Sequence, residues 1–135
     1  MTTQHWAADL IHRPYERGAT GPDAFDCWGL VRYVFERVHG IAMPAVAVGE
    51  DTNLAAIQEA ARVSGWRSVG MCPPQIDDIA IMTGFEGKHV GVMVEANGSL
   101  LVLHCIEGAG VCAQPLSDLG LGGFKNFEFW RRTRP

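Results

Sequence analysis

Asn97-Gly98, set between the apolar runs HVGVMVE (89–95) and SLLVLHC (99–105), constrains this chain more than any other stretch. A two-residue type I′ turn needs positive φ at both central positions, which Asn-Gly accepts readily. A turn centred there makes Ala96 face Ser99 and fixes the remaining pairs: Glu95 with Leu100, Met93 with Val102, Gly91 with His104, and His89 with Ile106. Side chains alternate across a strand. Val90, Val92, Val94, Leu101, Leu103 and Cys105 therefore form one face, the natural core face. His89, Gly91, Met93, Val102, His104 and Ile106 form the other. The two histidines become diagonal neighbours with roughly 7–8 Å or somewhat less between Cβ atoms. Gly91 leaves room for an imidazole to tilt, and a slip of one residue would put the histidines on opposite faces.

The rest of the chain supplies the partners of this hairpin. A short helix is expected near 6–11, followed by the turn-rich loop RPYERGATGPD. Leu30, Val31, Val34, Phe35 and Val38 repeat at helical spacing over 25–38, with Gly40 as a stop. Cys27 extends that apolar stripe backward by one step. A second helix is expected over 53–64, closed by Gly65. Beyond the break at Cys72-Pro73-Pro74 the period becomes that of strands, at 78–82, 89–95, 99–105 and 110–113, with a last strand at 124–130. Helices first and an antiparallel sheet afterward specify an α+β class, and 135 residues make a single domain, 1–135.

Composition narrows the function classes. The chain is 47% apolar and 19% charged, as globular domains are, and no apolar run approaches the ~20 residues of a membrane span. No basic stretch followed by a long apolar run opens the chain, so no secretory signal is expected. A formal charge of -4 argues against nucleic acid as a partner. The basic cluster Arg131, Arg132 and Arg134 is expected to be solvated. The four cysteines, Cys27, Cys72, Cys105 and Cys112, include no CxxC pair, and His104 and Cys105 point to opposite faces of a strand. Reduced thiols are expected, with no metal and no cofactor. Cys72, Cys105 and Cys112 read as core or loop residues, His5, His12 and His39 as residues without a role, and LGLGGF (119–124) as a loop.

Cys27 has a competing reading as one more buried apolar group, since free cysteine is among the most buried residue types. That reading does not account for its place at a helix start between Asp26 and Trp28. The unpaired N–H groups and positive dipole end of a helix's first turn lower a thiol pKa. An imidazole takes the proton, and a second polar group fixes that imidazole's tautomer. Cys27, His89 and His104 supply these three parts.

FDCWGL, HVGV and VLHC together resemble the NlpC-type cell-wall peptidases, a branch of the papain-like cysteine peptidases, over residues 12–118. The resemblance implies a papain-like fold in which N-terminal helices, with the nucleophile at a helix start, pack on a central antiparallel β-sheet. It assigns Cys27 as nucleophile, His89 as general base and His104 as the orienting residue. Tyr15 matches a family tyrosine beside the nucleophile near the oxyanion site. Asp26 has two readings, contact with a substrate amine or helix capping. Two positions depart from the family pattern. Trp28 stands where a serine that helps hold the substrate is common, which opens the substrate pocket to change. Asp77 replaces the glycine usual before Asp78. The implied reaction is hydrolysis of peptidoglycan stem peptides at the bond between D-glutamate and a diamino acid. The Asp-Cys-Trp-Gly-Leu variant resembles phage and prophage tail-tip peptidases, which implies other tail-tip proteins as partners and delivery by the tail particle to the cell wall. The alternatives are a catalytically silent structural component of a tail, and an amidase or acyl transferase acting on another substrate.

Overall fold

The computed structural model describes residues 5–43, 58–59, 62–63, 65–84 and 87–132. The elements run α1 (His5–Leu10), α2 (Cys27–Tyr33), a π-helical turn (Val34–Val38), β1 (Trp66–Gly70), β2 (Ile79–Gly84), β3 (Gly87–Ala96), β4 (Ser99–Ile106), β5 (Gly110–Gln114), α3 (Leu116–Leu121) and β6 (Lys125–Arg132). The helix expected over 53–64 lies outside the described residues except for 58–59 and 62–63, which are helical.

The strands form one sheet in the order β1-β6-β2-β3-β4-β5, with every pair antiparallel. The β3–β4 register follows the Asn-Gly turn as expected, from Ala96 opposite Ser99 to Val92 opposite Leu103. Asn97 and Gly98 both take positive φ, 53° and 82°. On one face Val90, Val92, Val94, Leu103 and Cys105 join Ile79 and Ile81 in a core with Leu30, Val31, Val34 and Phe35 of the helical segment. That is the core face expected from alternation.

The opposite face is not left to solvent. Ala80, Met82, Met93, Val102 and Phe129 form a second core with Leu119 of α3, flanked by Leu116 and Phe124. This corrects the expectation of a loop at 119–124, because α3 runs on to Leu121. Strand β1 was not expected from the sequence, and the last strand takes an interior place beside β2. Arg131 is likewise corrected. Its guanidinium grips the buried Asp78 carboxylate at 2.9 and 2.8 Å, so this arginine ties β6 to the start of β2 instead of trailing in water. Asp77 sits at φ 71°, the left-handed region that favours glycine, the residue that the resemblance implies at this position.

Candidate active site

The site begins with the loop between α1 and α2. His12 N–H donates to the Val111 carbonyl at 2.8 Å and Val111 N–H returns a bond to Arg13 at 2.9 Å, fastening the loop to β5. Phe25 N–H then donates to Pro14 O, Glu16 N–H to Phe25 O, and Asp26 N–H to Ala19 O. These bonds bring Tyr15 alongside the residues that lead into α2. Tyr15 is half-buried, and its phenol is pushed up first by burial and then by the proximity of Cys27 and Asp26.

Asp26 caps α2. One carboxylate oxygen accepts from Gly29 N–H at 2.6 Å and the other from Gly18 N–H at 2.9 Å, with the residue 4% exposed. Of its two readings, capping is therefore the one the geometry builds. Trp28 is 1% exposed and packs within the helix-side core. It presents no open face, which corrects the expectation that it lines a substrate pocket.

Cys27 opens the first turn of α2 and is 6% exposed. The backbone N–H groups of Val90, Trp28 and Cys27 itself act on its sulfur and favour the thiolate, but burial and the negative charge of Asp26 outweigh them. The thiol is pushed up to about 12. This corrects the expectation of a helix-lowered cysteine: the short α2 supplies its N–H groups, and desolvation wins.

The histidines meet as the register required. His89 Nε2 and His104 Nδ1 are 2.9 Å apart, the rings nearly perpendicular. His104 is fully buried and His89 nearly so. A Cβ at Gly91 would fall 2.8 Å from the Leu103 carbonyl oxygen and 3.1 Å from His104 Cβ, so glycine is what lets the second ring in. Phe124 lies against both rings, with centroids 5.2 Å from His89 and 6.2 Å from His104. On the far side, His104 Nε2 is 2.9 Å from Gln114 Oε1 and 3.5 Å from Cys112 Sγ.

Cys27 approaches this pair through the strand. Its sulfur meets the N–H of Val90, the residue after His89. Among the described residues no hydrogen bond joins Cys27 to either imidazole. Burial, then the neighbouring ring, lowers His89 to about 3, and burial lowers His104. The resting chemistry is a neutral thiol beside neutral imidazoles, with no ion pair preformed. Among the described residues no group of three or more His, Cys, Asp or Glu side chains could hold a metal ion.

Phe124, Cys112 and Gln114 were missed from the sequence. A legible signal existed for the last two. Gly108 and Gly110 mark a turn after β4, and the β4–β5 register sets Cys112 opposite His104, with Gln114 two residues further on the same face.

The buried neutral histidines make acid stability testable. In the unfolded chain they take up protons below about pH 6.5, whereas in the folded protein His89 does so only near 3. The unfolded state thus binds more protons between these limits, and stability is full above the upper limit and lost as pH falls toward the lower one. Denaturant melts at pH 7.5, 6.0 and 5.0 should show a fall on the order of a few kcal/mol, with a smaller slope in His89→Gln. Asp26, pushed up by burial, contributes with the opposite sign at lower pH. Equal midpoints from pH 7.5 to 5.0 would contradict the burial of neutral imidazoles.

Comparison with known proteins points the same way in family, curated relative and solved structure. The NlpC/P60 family model matches residues 12–118. Tail tip assembly protein K of Escherichia phage N15 is 30% identical over 105 residues, which cover 73% of this chain and 40% of that protein. The chain thus spans about two fifths of the length of this curated relative. The crystal structure of the NlpC/p60 domain of the peptidoglycan hydrolase SagA superposes with a TM-score of 0.57 at 25% identity, covering 90% of each chain.

Proposed function

The chain belongs to the NlpC/P60 family, and on that premise we propose that it is a cysteine endopeptidase that cleaves peptidoglycan stem peptides between D-glutamate and the diamino acid. The observation that carries the reading is the convergence of α2 and β3: Cys27 at the helix start touches the strand at Val90, next to His89, which is bonded to His104 at 2.9 Å. In the reaction, His89 takes the proton of Cys27 and the thiolate attacks the peptide carbonyl carbon. The Cys27 N–H and the Tyr15 hydroxyl hold the oxyanion. His89 then protonates the leaving amine, and water, deprotonated by His89, releases the acyl group.

Because the resting thiol is neutral, proton transfer accompanies substrate entry rather than preceding it. Asp26 acts by holding the turn that carries Cys27, and Trp28 by backing the wall beside it. Delivery by a phage tail particle is supported by the likeness to a tail tip assembly protein. Other tail-tip proteins are its proposed partners. Among the described residues no helix is long and apolar enough to cross a membrane.

A second reading, a silent tail component, draws on one observation: Cys27 is 6% exposed, and its thiol is pushed up to about 12. Incubation of the protein and its Cys27→Ala variant with purified muropeptides, read by mass spectrometry, decides between them. New stem fragments from the parent alone are expected. Intact muropeptides from every wall type tried, together with a Cys27 that resists iodoacetamide at neutral pH, would establish the silent component. Cleavage of a different amide would favour an amidase or acyl transferase.

A further inference from the structure

The hydrogen bonds of the two histidines continue beyond the pair itself. Gln114, on β5, sets its side-chain oxygen 2.9 Å from His104 Nε2. The Cys112 thiol donates to the same oxygen at 3.6 Å and lies 3.5 Å from the same ring nitrogen. The β4–β5 ladder enforces this grouping by pairing His104 with Cys112 and Val102 with Gln114.

An amide oxygen only accepts hydrogen bonds. A proton is therefore required on His104 Nε2, and a neutral ring protonated there has a bare Nδ1. That bare nitrogen faces His89 Nε2 at 2.9 Å, so His89 must carry its proton on Nε2. The nitrogen left without a proton on His89 is then Nδ1, the one nearer the main chain, where Val90 follows and meets the Cys27 sulfur. Each tautomer follows from its neighbour, and the series starts at Gln114.

We propose that Gln114 is a positioning residue that fixes the proton polarity of the buried His104–His89 pair and so leaves His89 Nδ1 as the basic nitrogen of the site. The proposal deepens the peptidase reading and rests on it for its consequence in catalysis. The polarity itself is readable without substrate. With the wrong tautomer the imidazole would present an N–H where a lone pair is needed, however well the ring is placed.

Long-range proton–nitrogen NMR of 15N-labelled protein at pH 7.5, with the rings assigned through His89→Gln and His104→Gln, tests the polarity directly. Both rings should be protonated at Nε2 in the parent. In Gln114→Leu the acceptor is gone and the two polarities should mix. The kcat on muropeptides should then fall about 10- to 100-fold, by analogy with the loss of outer-shell partners of metal-binding histidines. KM should stay within about twofold, since no ground-state contact to substrate is removed. Gln114→Glu keeps an acceptor in place. It should restore the Nε2 protonation and most of the rate, and shift the acidic limb of the pH profile upward, because a carboxylate favours the imidazolium. A parent ring protonated at Nδ1 overturns the proposal, as do unchanged tautomers in Gln114→Leu. A parent with the expected tautomers that cleaves no muropeptide supports the polarity assignment and rejects the peptidase reading.

Discussion

Replacing His89 with alanine is expected to lower stem-peptide cleavage by roughly 10²- to 10⁴-fold, the range over which a positioned general base acts. The size follows from the state of the nucleophile. A thiol pushed up to about 12 is almost entirely protonated at neutral pH, so the site depends on a base to make the thiolate during attack. His89 is the imidazole adjacent in sequence to the residue whose N–H meets that sulfur. Without it, the residual rate should climb with pH without levelling near neutrality, because hydroxide and the thiol's own ionisation must supply what the ring did. The same variant loses a ring packed on Phe124 and His104, so circular dichroism and a melt belong beside the kinetics. A folded His89→Ala protein within about tenfold of the parent rate would remove His89 from the role of base.

Gly29→Ala is the substitution with the largest expected effect on the fold. In a helix interior, alanine usually stabilises by about 1 kcal/mol relative to glycine. Here a Cβ would stand 2.1 Å from the Ala19 carbonyl oxygen and 2.9 Å from the Asp26 carboxylate. The Ala19 oxygen is also the acceptor for Asp26 N–H, and the carboxylate caps Gly29. Relieving the overlap therefore breaks the loop-to-helix bond and the cap together. A cap contributes ~1 kcal/mol and overpacking costs typically 1–3 kcal/mol, so steric conflict outweighs propensity. A loss of about 3 kcal/mol and a drop in Tm of about 10 °C are expected by calorimetry, along with a misplaced Cys27. A Gly29→Ala protein as stable as the parent would mean that the loop at Ala19 yields freely.

These expectations show which links were legible in the chain. The Asn97-Gly98 turn was sufficient to place His89 beside His104, because a type I′ turn leaves one register and register decides the face. The stripe from Cys27 to Val34 likewise described a helix lying on that sheet. The ionisation of Cys27 was not legible. It depends on a balance between three N–H groups, burial and the Asp26 charge, and only the packed structure sets the weights. Strand β1 escaped because Trp66–Gly70 is short and bounded by glycine, and its pairing with β6 is a contact distant in sequence. The second core escaped for a related reason. Leu119 reads as a loop residue until Met93 and Val102 are known to need cover. Arg131 was read as solvated because its partner, Asp78, lies 53 positions earlier.

The place of β6 in the sheet bears on the order in which the molecule can be made. The last strand of the described chain lies between β1 and β2, so the sheet stays in two pieces until Lys125–Arg132 arrives. A ribosome can release the β2–β5 meander early, since each of those strands pairs with its neighbour in sequence. Strand β1 then waits, since among the described residues its strand partner is β6. Closing so distant a pairing is entropically slow. The nascent chain therefore carries an open β2 edge from the emergence of Ile79–Gly84 until Lys125–Arg132 follows, and the Arg131–Asp78 clasp forms only as that edge is covered.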